Sequence, residues 1–459
     1  MLKKGNDLIR QLGLFDSTMI LMGIVIGSGI FLTTGIMAES IPSPGLILLA
    51  WLVGGLLTLA GALTYAELGA AIPEAGGQYV YLKQAYGSLV GFLFGWIVFL
   101  VYVTGGIAAL AVAFAIYFSH FFPALSTDIF LFSTEINIFN FTIHYSLSIG
   151  QIVAIVIILL LSVVNYIGVA LGKIIQNIIT VIKIGIVLVF VLFGFTIGKG
   201  AAGEIFFTPE GYSFGHLVMG FGIALVAVSW AFDGWNNINF VAGEIKEPGR
   251  NLPLSLILGT VGITVLYVLV NCVYFYSLPI DEVIGVERIA EKSASALFGG
   301  IGGGLVSAAI IISILGAING SILSGPRVYY AMAKDKLFFQ RVAEVHPKFK
   351  TPGIAIFIQA IWSCILALSG SFEQLITFAM VVSIMFWIAA TAAVFTLRKK
   401  YPDLKRPYKT WGYPVIPVIF IIASAGILVN ALFEKPVESL AGLGITVIGI
   451  PVYYFWKKR

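Results

Sequence analysis

Long, largely apolar stretches are the feature that most restricts how this chain can fold. Residues 152–164 and 174–195 are two of them, and the 459-residue chain is 59% hydrophobic and only 11% charged. A soluble domain carries about 25% charged residues, whereas a helix that crosses the hydrocarbon core of a bilayer needs about 20 apolar residues. The sequence therefore predicts an all-α, polytopic membrane protein that is surrounded by membrane lipid.

Stretches of this kind recur along the whole chain and predict 12 transmembrane helices. They lie at 17–37, 45–69, 88–119, 149–168, 174–196, 215–241, 252–277, 296–331, 353–369, 374–397, 413–432 and 440–456. An even number of spans places both termini on the same side of the membrane.

The basic residues indicate which side that is. Of the 27 Lys and Arg residues, the loops opposite the N-terminus receive only Lys199, Arg288, Lys292 and Lys435, and Lys183 lies within a span. Cytoplasmic loops carry the excess of Lys and Arg, so both termini are predicted to be cytoplasmic, with tails at 1–16 and 457–459, in a plasma (inner) membrane protein. The positive charge reflects this orientation, and no nucleic-acid partner is predicted.

The first predicted span contains Gly27, Ser28 and Gly29 at its middle. Glycine in a helix interior costs about 1 kcal/mol relative to alanine. Non-helical backbone at membrane depth is tolerated only where protein buries it or where it lines a cavity. The sequence therefore predicts a broken first helix with a binding site at the break. The alternative is that these small residues only let helices pack closely.

A second interruption lies in the sixth predicted span, five spans later. It consists of Ser229, Asp233, Gly234, Asn236 and Asn237. Breaks at corresponding positions of two halves are the best sequence indication of a transporter built from inverted repeats.

The ends of broken helices have opposite chemistry, because N-terminal ends present free N–H groups and C-terminal ends present free carbonyls. A ligand with one carboxylate and one ammonium group matches this pair. We expect the backbone N–H groups near Gly27, Ser28 and Gly29 to hold the carboxylate, with the Ser28 hydroxyl as a further donor. The carbonyls expected to hold the ammonium lie near Trp230, Ala231 and Asp233. Asp233 is open to three roles: contact with the ammonium, a helix cap, or pairing with another buried group.

Several linked motifs resemble those of one transporter family. They are Gly-Ser-Gly-Ile-Phe at 27–31, Tyr-Ala-Glu-Leu-Gly at 65–69, Pro-Glu-Ala-Gly-Gly-Gln-Tyr at 73–79, Asp-Gly-Trp-Asn at 233–236, Gly-Glu-Ile-Lys-Glu-Pro at 243–248, Arg-Asn-Leu-Pro at 250–253, Arg-Val-Tyr-Tyr-Ala-Met at 327–332, Arg-Pro-Tyr at 406–408 and Gly-Tyr-Pro at 412–414. In this order they resemble the amino acid–polyamine–organocation (APC) superfamily, in its bacterial-type L-type amino acid transporter (LAT) branch.

The resemblance implies a LeuT-like fold with helices 1 and 6 broken. Five helices at 17–196 would be repeated in inverted orientation at 215–397, followed by two C-terminal helices at 413–456. It also implies alternating access and binding of α-amino acids at the two breaks, with Trp230 as an aromatic gate over the substrate. Neither a cofactor nor a metal is implied. The implied substrate-binding residues are Ile26, Gly27, Ser28, Gly29, Ile30, Trp230, Ala231, Phe232 and Asp233.

The resemblance also bears on partners. Animal relatives pair with a single-span glycoprotein through a cysteine in the loop after span three. Residues 120–148 contain no cysteine, because the two cysteines of the chain are Cys272 and Cys364. We therefore expect no disulfide-linked ancillary subunit.

Lys183 lies about ten residues into the fifth predicted span, and an ionisable group at such depth is by default a functional hypothesis. In related transporters, a lysine at the matched position occupies the place where sodium-coupled relatives bind their cation. We therefore favour sodium-independent transport, with Lys183 bracing the first helix or coupling transport to protons. The alternative is a lysine that extends to the membrane surface.

The predicted function is secondary transport of α-amino acids, by exchange or linked to protons. Span three carries no acidic residue that could face a cationic side chain, and the bulky Trp230 favours small neutral substrates. A sodium-coupled or cationic amino acid symporter of the same fold is the alternative within transport. An intramembrane enzyme is disfavoured, because it would need clustered His, Asp or Cys residues within the spans.

Overall fold

The computed structural model describes residues 8–138, 141–196, 213–369, 372–434 and 436–458. Parts of the predicted tails (1–7 and 459) and two of the predicted outer-loop charges, Lys199 and Lys435, lie outside the described residues. The helices are α1 Leu14–Val25, α2 Gly29–Ser40, α3 Pro44–Ala71, α4 Gln78–Tyr86, α5 Ser88–Ile97, α6 Val103–Phe118, α7 Ile149–Ile167, α8 Val169–Thr196, α9 Phe214–Ala231, α10 Pro248–Ser277, α11 Ile280–Val283, α12 Ile289–Phe298, α13 Gly300–Ser324, α14 Pro326–Lys334, α15 Gly353–Ser369, α16 Phe372–Lys400, α17 Val415–Glu434 and α18 Pro436–Lys457.

The helices confirm a polytopic membrane protein. Within the described ranges, 10 helical stretches are long and apolar enough to cross a membrane, or 11 when the pair α1–α2, bent by 42°, is taken as one span. The predicted ninth span is α15, which is apolar but has 17 residues. That length is at the lower limit of about 17 residues for a membrane-spanning helix.

Three local features differ from the sequence-based prediction. An antiparallel pair of strands, β1 (Phe130–Ile138) and β2 (Phe141–Ser148), separates α6 from α7, so the chain is not purely α-helical. The predicted span 296–331 starts later, because Gly299 has φ +75° and separates α12 from α13. The second half of the predicted sixth span is a 3-10 helix, Asn237–Glu244, rather than α-helix.

The packing of the bundle places both interrupted segments at its centre. α1 packs against α8, α10 and α13, while α2 packs against α9 and α12. α17 packs against α3, α9 and α16, and α18 against α5 and α16, so these last two helices do not contact α1 or α2 extensively.

A buried ion pair lies next to the N-terminal segment of the described chain. The Arg327 Nε atom lies 2.5 Å from Glu244 Oε1 and its Nη2 atom lies 3.1 Å from Oε2. Both side chains are almost fully buried, at 1% and 0% exposure. The N–H groups of Gln11 and Leu12 both donate to the Glu244 carbonyl, and Lys246 N–H donates to the Leu12 carbonyl. The start of the chain is thereby held against the end of the 3-10 helix.

Candidate substrate site

The first break leaves several hydrogen-bond donors without acceptors. α1 ends at Val25 and α2 begins at Gly29. The Gly27 N–H donates to the Val25 carbonyl at 2.7 Å, whereas the N–H groups of Ser28, Gly29 and Ile30 have no acceptor among the described residues. The Ser28 hydroxyl is buried and also lacks a partner there. The N-terminus of α2 therefore offers free donors in a region that favours negative charge.

The second break directly contacts the first. α9 ends at Ala231, and Gly234 turns the chain with φ +92°. A Cβ atom on Gly234 would lie 2.4 Å from Ile24 Cγ2, and one on Gly29 would lie 2.8 Å from the Ala231 Cα. Because real Cβ atoms do not approach so closely, both glycines are required for the two breaks to touch.

A small cavity of about 90 Å³ lies between the breaks. Its lining residues come from the two breaks, from α6 and from α13: Ile24, Val25, Gly27, Ser28, Gly29, Tyr102, Val103, Gly106, Ala109, Leu110, Trp230, Ala231, Asp233, Gly234, Asn237 and Ser321.

Six of the nine predicted substrate-binding residues line this cavity, and Ile26, Ile30 and Phe232 do not. The side chains of these three are each about 1% exposed and belong to the core. The Phe232 ring packs against Trp51 and Tyr267, with ring centroids 6.4 and 5.1 Å away. Among the described residues, Asp233 is the one carboxylate that lines the cavity.

Lys183 reaches the first break from α8. Its ammonium nitrogen lies 2.8 Å from the Gly23 carbonyl, 2.8 Å from the Ile26 carbonyl and 2.9 Å from the Ser313 carbonyl. An ammonium group has three donors and no acceptor, so the three carbonyls use its full capacity. The side chain is 2% exposed and does not extend to the membrane surface. Lys183 thus connects the end of α1 with α13.

Tyr102 is a site residue that the sequence analysis did not identify. It ends a one-turn π-helix, Val98–Tyr102, between α5 and α6. Its hydroxyl donates to Asp233 Oδ1 at 2.9 Å and lies 3.4 Å from the side-chain oxygens of Asn236 and Asn237. π-Helical turns within α-helices are frequent at functional sites, but hydropathy carries no signal for them.

Tyr267 and Ser313 were also missed. The Tyr267 hydroxyl lies 2.9 Å from the Val25 carbonyl and 3.2 Å from the Ala231 carbonyl, so it can donate to either break. The Ser313 hydroxyl donates to the Ile26 carbonyl at 2.7 Å. A polar side chain within an otherwise apolar span was the available signal for Ser313. A tyrosine in such a span is too common to single out.

These features define a class of protein. Two interrupted membrane helices meet around a small cavity that has free N–H groups on one side and a carboxylate on the other. This is the arrangement of a solute transporter. Among the described residues, no group of three or more His, Cys, Asp and Glu side chains is placed to hold a metal ion.

Comparison with known proteins identifies the family. Residues 12–454 match the family model described as amino acid permease. The chain is 34% identical to the serine/threonine exchanger SteT of Bacillus subtilis (strain 168), over 99% of this chain and 98% of the relative. It is 30% identical to the human large neutral amino acids transporter small subunit 2, over 99% and 82%, and 27% identical to the branched-chain amino acid permease BcaP of B. subtilis, over 99% and 94%.

The chain therefore belongs to the amino acid permease family of the APC superfamily, which confirms the resemblance inferred from the motifs. It is an amino acid transporter and not an enzyme.

Proposed function

We propose that this protein carries small neutral α-amino acids across the plasma membrane by alternating access and without sodium, in exchange or linked to protons. The observation that carries the sodium-independent part is the placement of Lys183. Its ammonium group is bonded to carbonyls of α1 and α13 at the first break. The Lys183 ammonium group supplies there what a bound cation would otherwise supply to freed carbonyls, and it disfavours a second cation nearby. Three carbonyl acceptors around one nitrogen favour a bracing role for Lys183 over proton coupling.

The two breaks support an α-amino acid as ligand. The N–H groups of Ser28 and Gly29 and the unpartnered Ser28 hydroxyl are suited to a carboxylate. The substrate ammonium would lie at the C-terminal end of α9, near the Trp230 and Ala231 carbonyls. Asp233 is engaged by Tyr102, which favours a structural role for its carboxylate at the edge of the site.

The preference for small neutral substrates is supported by the cavity. Its volume is about 90 Å³ and its α6 wall consists of Gly106, Ala109 and Leu110. Trp230 lies at the first break, since a Cβ on Gly29 would be 3.4 Å from its ring. This position suits the proposed gate over the substrate. The α6 residues that line the cavity include no acidic side chain that could pair with a lysine or arginine side chain of the substrate.

The remaining parts of the proposal concern topology and partners. We place the inverted repeats at 17–196 and 215–397 and two further helices at 413–456, a 12-helix LeuT-like arrangement with both termini in the cytoplasm. The human relative is named as a small subunit. In this chain Cys272 lies in α10 and Cys364 in α15, both as free thiols. The proposal therefore includes no disulfide-linked ancillary subunit.

Transport into proteoliposomes tests the function. Vesicles containing the purified protein are loaded with unlabelled serine or left empty, and uptake of labelled serine is measured in sodium-free buffer. An exchanger takes up label only into loaded vesicles, whereas a proton-linked carrier also fills empty vesicles when the outside is acidic. A thermal-shift panel of all common amino acids defines the specificity.

Three results would contradict the proposal. Uptake that requires sodium would overturn the role given to Lys183. Stabilisation by lysine or arginine but not by alanine, serine or threonine would indicate a cationic carrier. The absence of uptake for every amino acid in protein that still shows a cooperative thermal transition would refute the substrate class.

A further inference from the structure

A second, larger groove lies away from the substrate cavity, between α7 and α15. Its volume is about 580 Å³. Its walls are mainly apolar: Leu159, Val163 and Tyr166 from α7, and Ile354, Phe357 and Ala360 from α15. Val163 and Phe357 are 57% and 62% exposed. α7 is long and apolar enough to cross a membrane, and α15 is an apolar helix of 17 residues. The groove between them therefore opens towards lipid.

The loop before α15 closes one end of the groove with a polar wall. His346 lines it, and its Nδ1 atom accepts hydrogen bonds from the backbone N–H groups of Lys348 (3.3 Å) and Phe349 (3.1 Å). A ring nitrogen that accepts carries no proton, so the proton of the neutral ring is on Nε2. Nε2 has no acceptor among the described residues. Stacking on Phe349, with ring centroids 4.5 Å apart, fixes the ring.

Two basic residues follow His346 in the loop at this polar end. Lys348 and Lys350 lie two and four residues after His346, and neither forms an ion pair with a carboxylate in the described part of the chain. Glu344 is the one carboxylate that lines the groove among the described residues, and it is exposed. Ser162 in the wall of the groove is only 6% exposed, and its hydroxyl has no hydrogen-bond partner among the residues that the structure describes. A buried polar atom without a partner is rare in proteins, and the residue that carries this one belongs to the groove wall.

We propose that this groove binds an anionic phospholipid. One acyl chain lies along α7 and α15, an ester oxygen reaches Ser162, and the phosphate is held by His346, Lys348 and Lys350. The charge of the loop selects this occupant, because a sterol or a second copy of the chain needs no cation at the rim. The cytoplasmic leaflet, towards which the proposed orientation turns this loop, is also the anionic one.

Native mass spectrometry of the purified full-length protein tests the proposal. The protein in detergent is titrated with phosphatidylglycerol, or with phosphatidylcholine that carries the same acyl chains. We expect one retained phosphatidylglycerol molecule and weaker retention of phosphatidylcholine. Replacing both lysines (Lys348→Gln with Lys350→Gln) should weaken phosphatidylglycerol binding about 30-fold, since each basic residue near an anionic surface contributes about 1 kcal/mol. Lys457→Gln with Lys458→Gln, at the end of α18, is the charge-matched control and should bind as the unaltered protein does.

A second variant tests the apolar part of the groove. Val163→Trp places a large ring in the groove at a position that is 57% exposed. Displacing two methylene groups of the acyl chain should weaken binding about tenfold. Val156→Trp, at a 53% exposed position of α7 outside the groove, is its control.

Several outcomes would overturn the proposal. Equal retention of phosphatidylglycerol and phosphatidylcholine would show that headgroup charge does not determine binding. Unchanged phosphatidylglycerol binding in Val163→Trp would show that the lipid binds outside this groove. A dimer that dissociates in the Val163→Trp variant would assign the groove to a second copy of the chain.

Discussion

The Lys183 ammonium nitrogen lies 2.8 Å from the carbonyl oxygens of both Gly23 and Ile26, at the point where α1 ends. The last carbonyls of a helix lack hydrogen-bond donors within that helix. Here the charged side chain of Lys183, from α8, donates to two of them. A third bond, to the Ser313 carbonyl, extends the contact to α13. The position of the first break is thus fixed from outside the broken helix itself.

Lys183→Met should abolish this bracing while keeping a side chain of similar length. Three buried carbonyls lose a charged donor, and each such hydrogen bond contributes about 1.5–3 kcal/mol. We expect a lower melting temperature and an uptake rate reduced at least about tenfold, measured in proteoliposomes across pH 5 to 8. Lys292→Met, which removes an exposed ion pair with Glu282, is the control and should change neither quantity appreciably. Unchanged transport in Lys183→Met would show that Lys183 does not brace the first break in the way proposed.

Gly29→Ala should separate the two breaks. The new Cβ would lie 2.8 Å from the Ala231 Cα, and because this neighbour is a backbone atom, no rotamer change relieves the contact. We expect thermal stabilisation by serine or threonine to disappear while the protein remains monodisperse; Gly29→Val should have the same effect more strongly. Gly105→Ala in α6 is the control, because a Cβ atom there would have no atom of the described residues within 4 Å. Normal ligand affinity in Gly29→Ala would show that this contact does not matter for binding.

Tyr102→Phe should weaken substrate binding without unfolding the protein. It removes the donor at 2.9 Å from Asp233 and leaves a carboxylate in the cavity wall without that partner. The bond holds Asp233 in the cavity wall, and if about 1.4 kcal/mol of its loss is felt in binding, the affinity measured by ligand titration falls about tenfold. Tyr86→Phe, a partly exposed tyrosine that donates to the Ala389 carbonyl, is the control. The same affinity in both variants would show that the Tyr102 hydroxyl does not contribute to substrate binding.

Replacing one partner of the buried Glu244–Arg327 ion pair should destabilise the protein more than replacing both. Removing one partner, in Arg327→Met or Glu244→Gln, leaves the other uncompensated and should cost about 3–5 kcal/mol of stability. The combined replacement of Arg327→Met with Glu244→Leu should recover much of this loss, because no buried charge remains. Thermal unfolding in detergent measures all three. A double variant less stable than either single one would contradict this interpretation.

The first break could be predicted because its signal is local: glycine and serine follow one another where an apolar helix is expected. The form of the second break could not. Ile238, Phe240 and Val241 are as apolar as helix residues, so hydropathy extends the span through a segment that forms a 3-10 helix. Hydropathy does not distinguish an α-helix that crosses the membrane from this 3-10 helix. The 3-10 segment is apolar because it is buried among neighbouring helices, not because it is exposed to lipid.

The tyrosines show a second limit of the sequence. Lys183 could be singled out because a charge in an apolar span is costly anywhere. Tyr267, by contrast, gains its role only from the carbonyls of Val25 and Ala231, which lie far from it in the chain. The distances that make it part of the site are products of packing and are not encoded in its own segment.

Glu244 joins two separate contacts in one residue. Its carbonyl accepts from Gln11 and Leu12, and its carboxylate holds Arg327 at the start of α14. A movement of Glu244 therefore disturbs both contacts at once, because both belong to the same residue. We therefore expect opening on this side of the bundle to be cooperative. States in which only one of the two Glu244 contacts is broken should be sparsely populated.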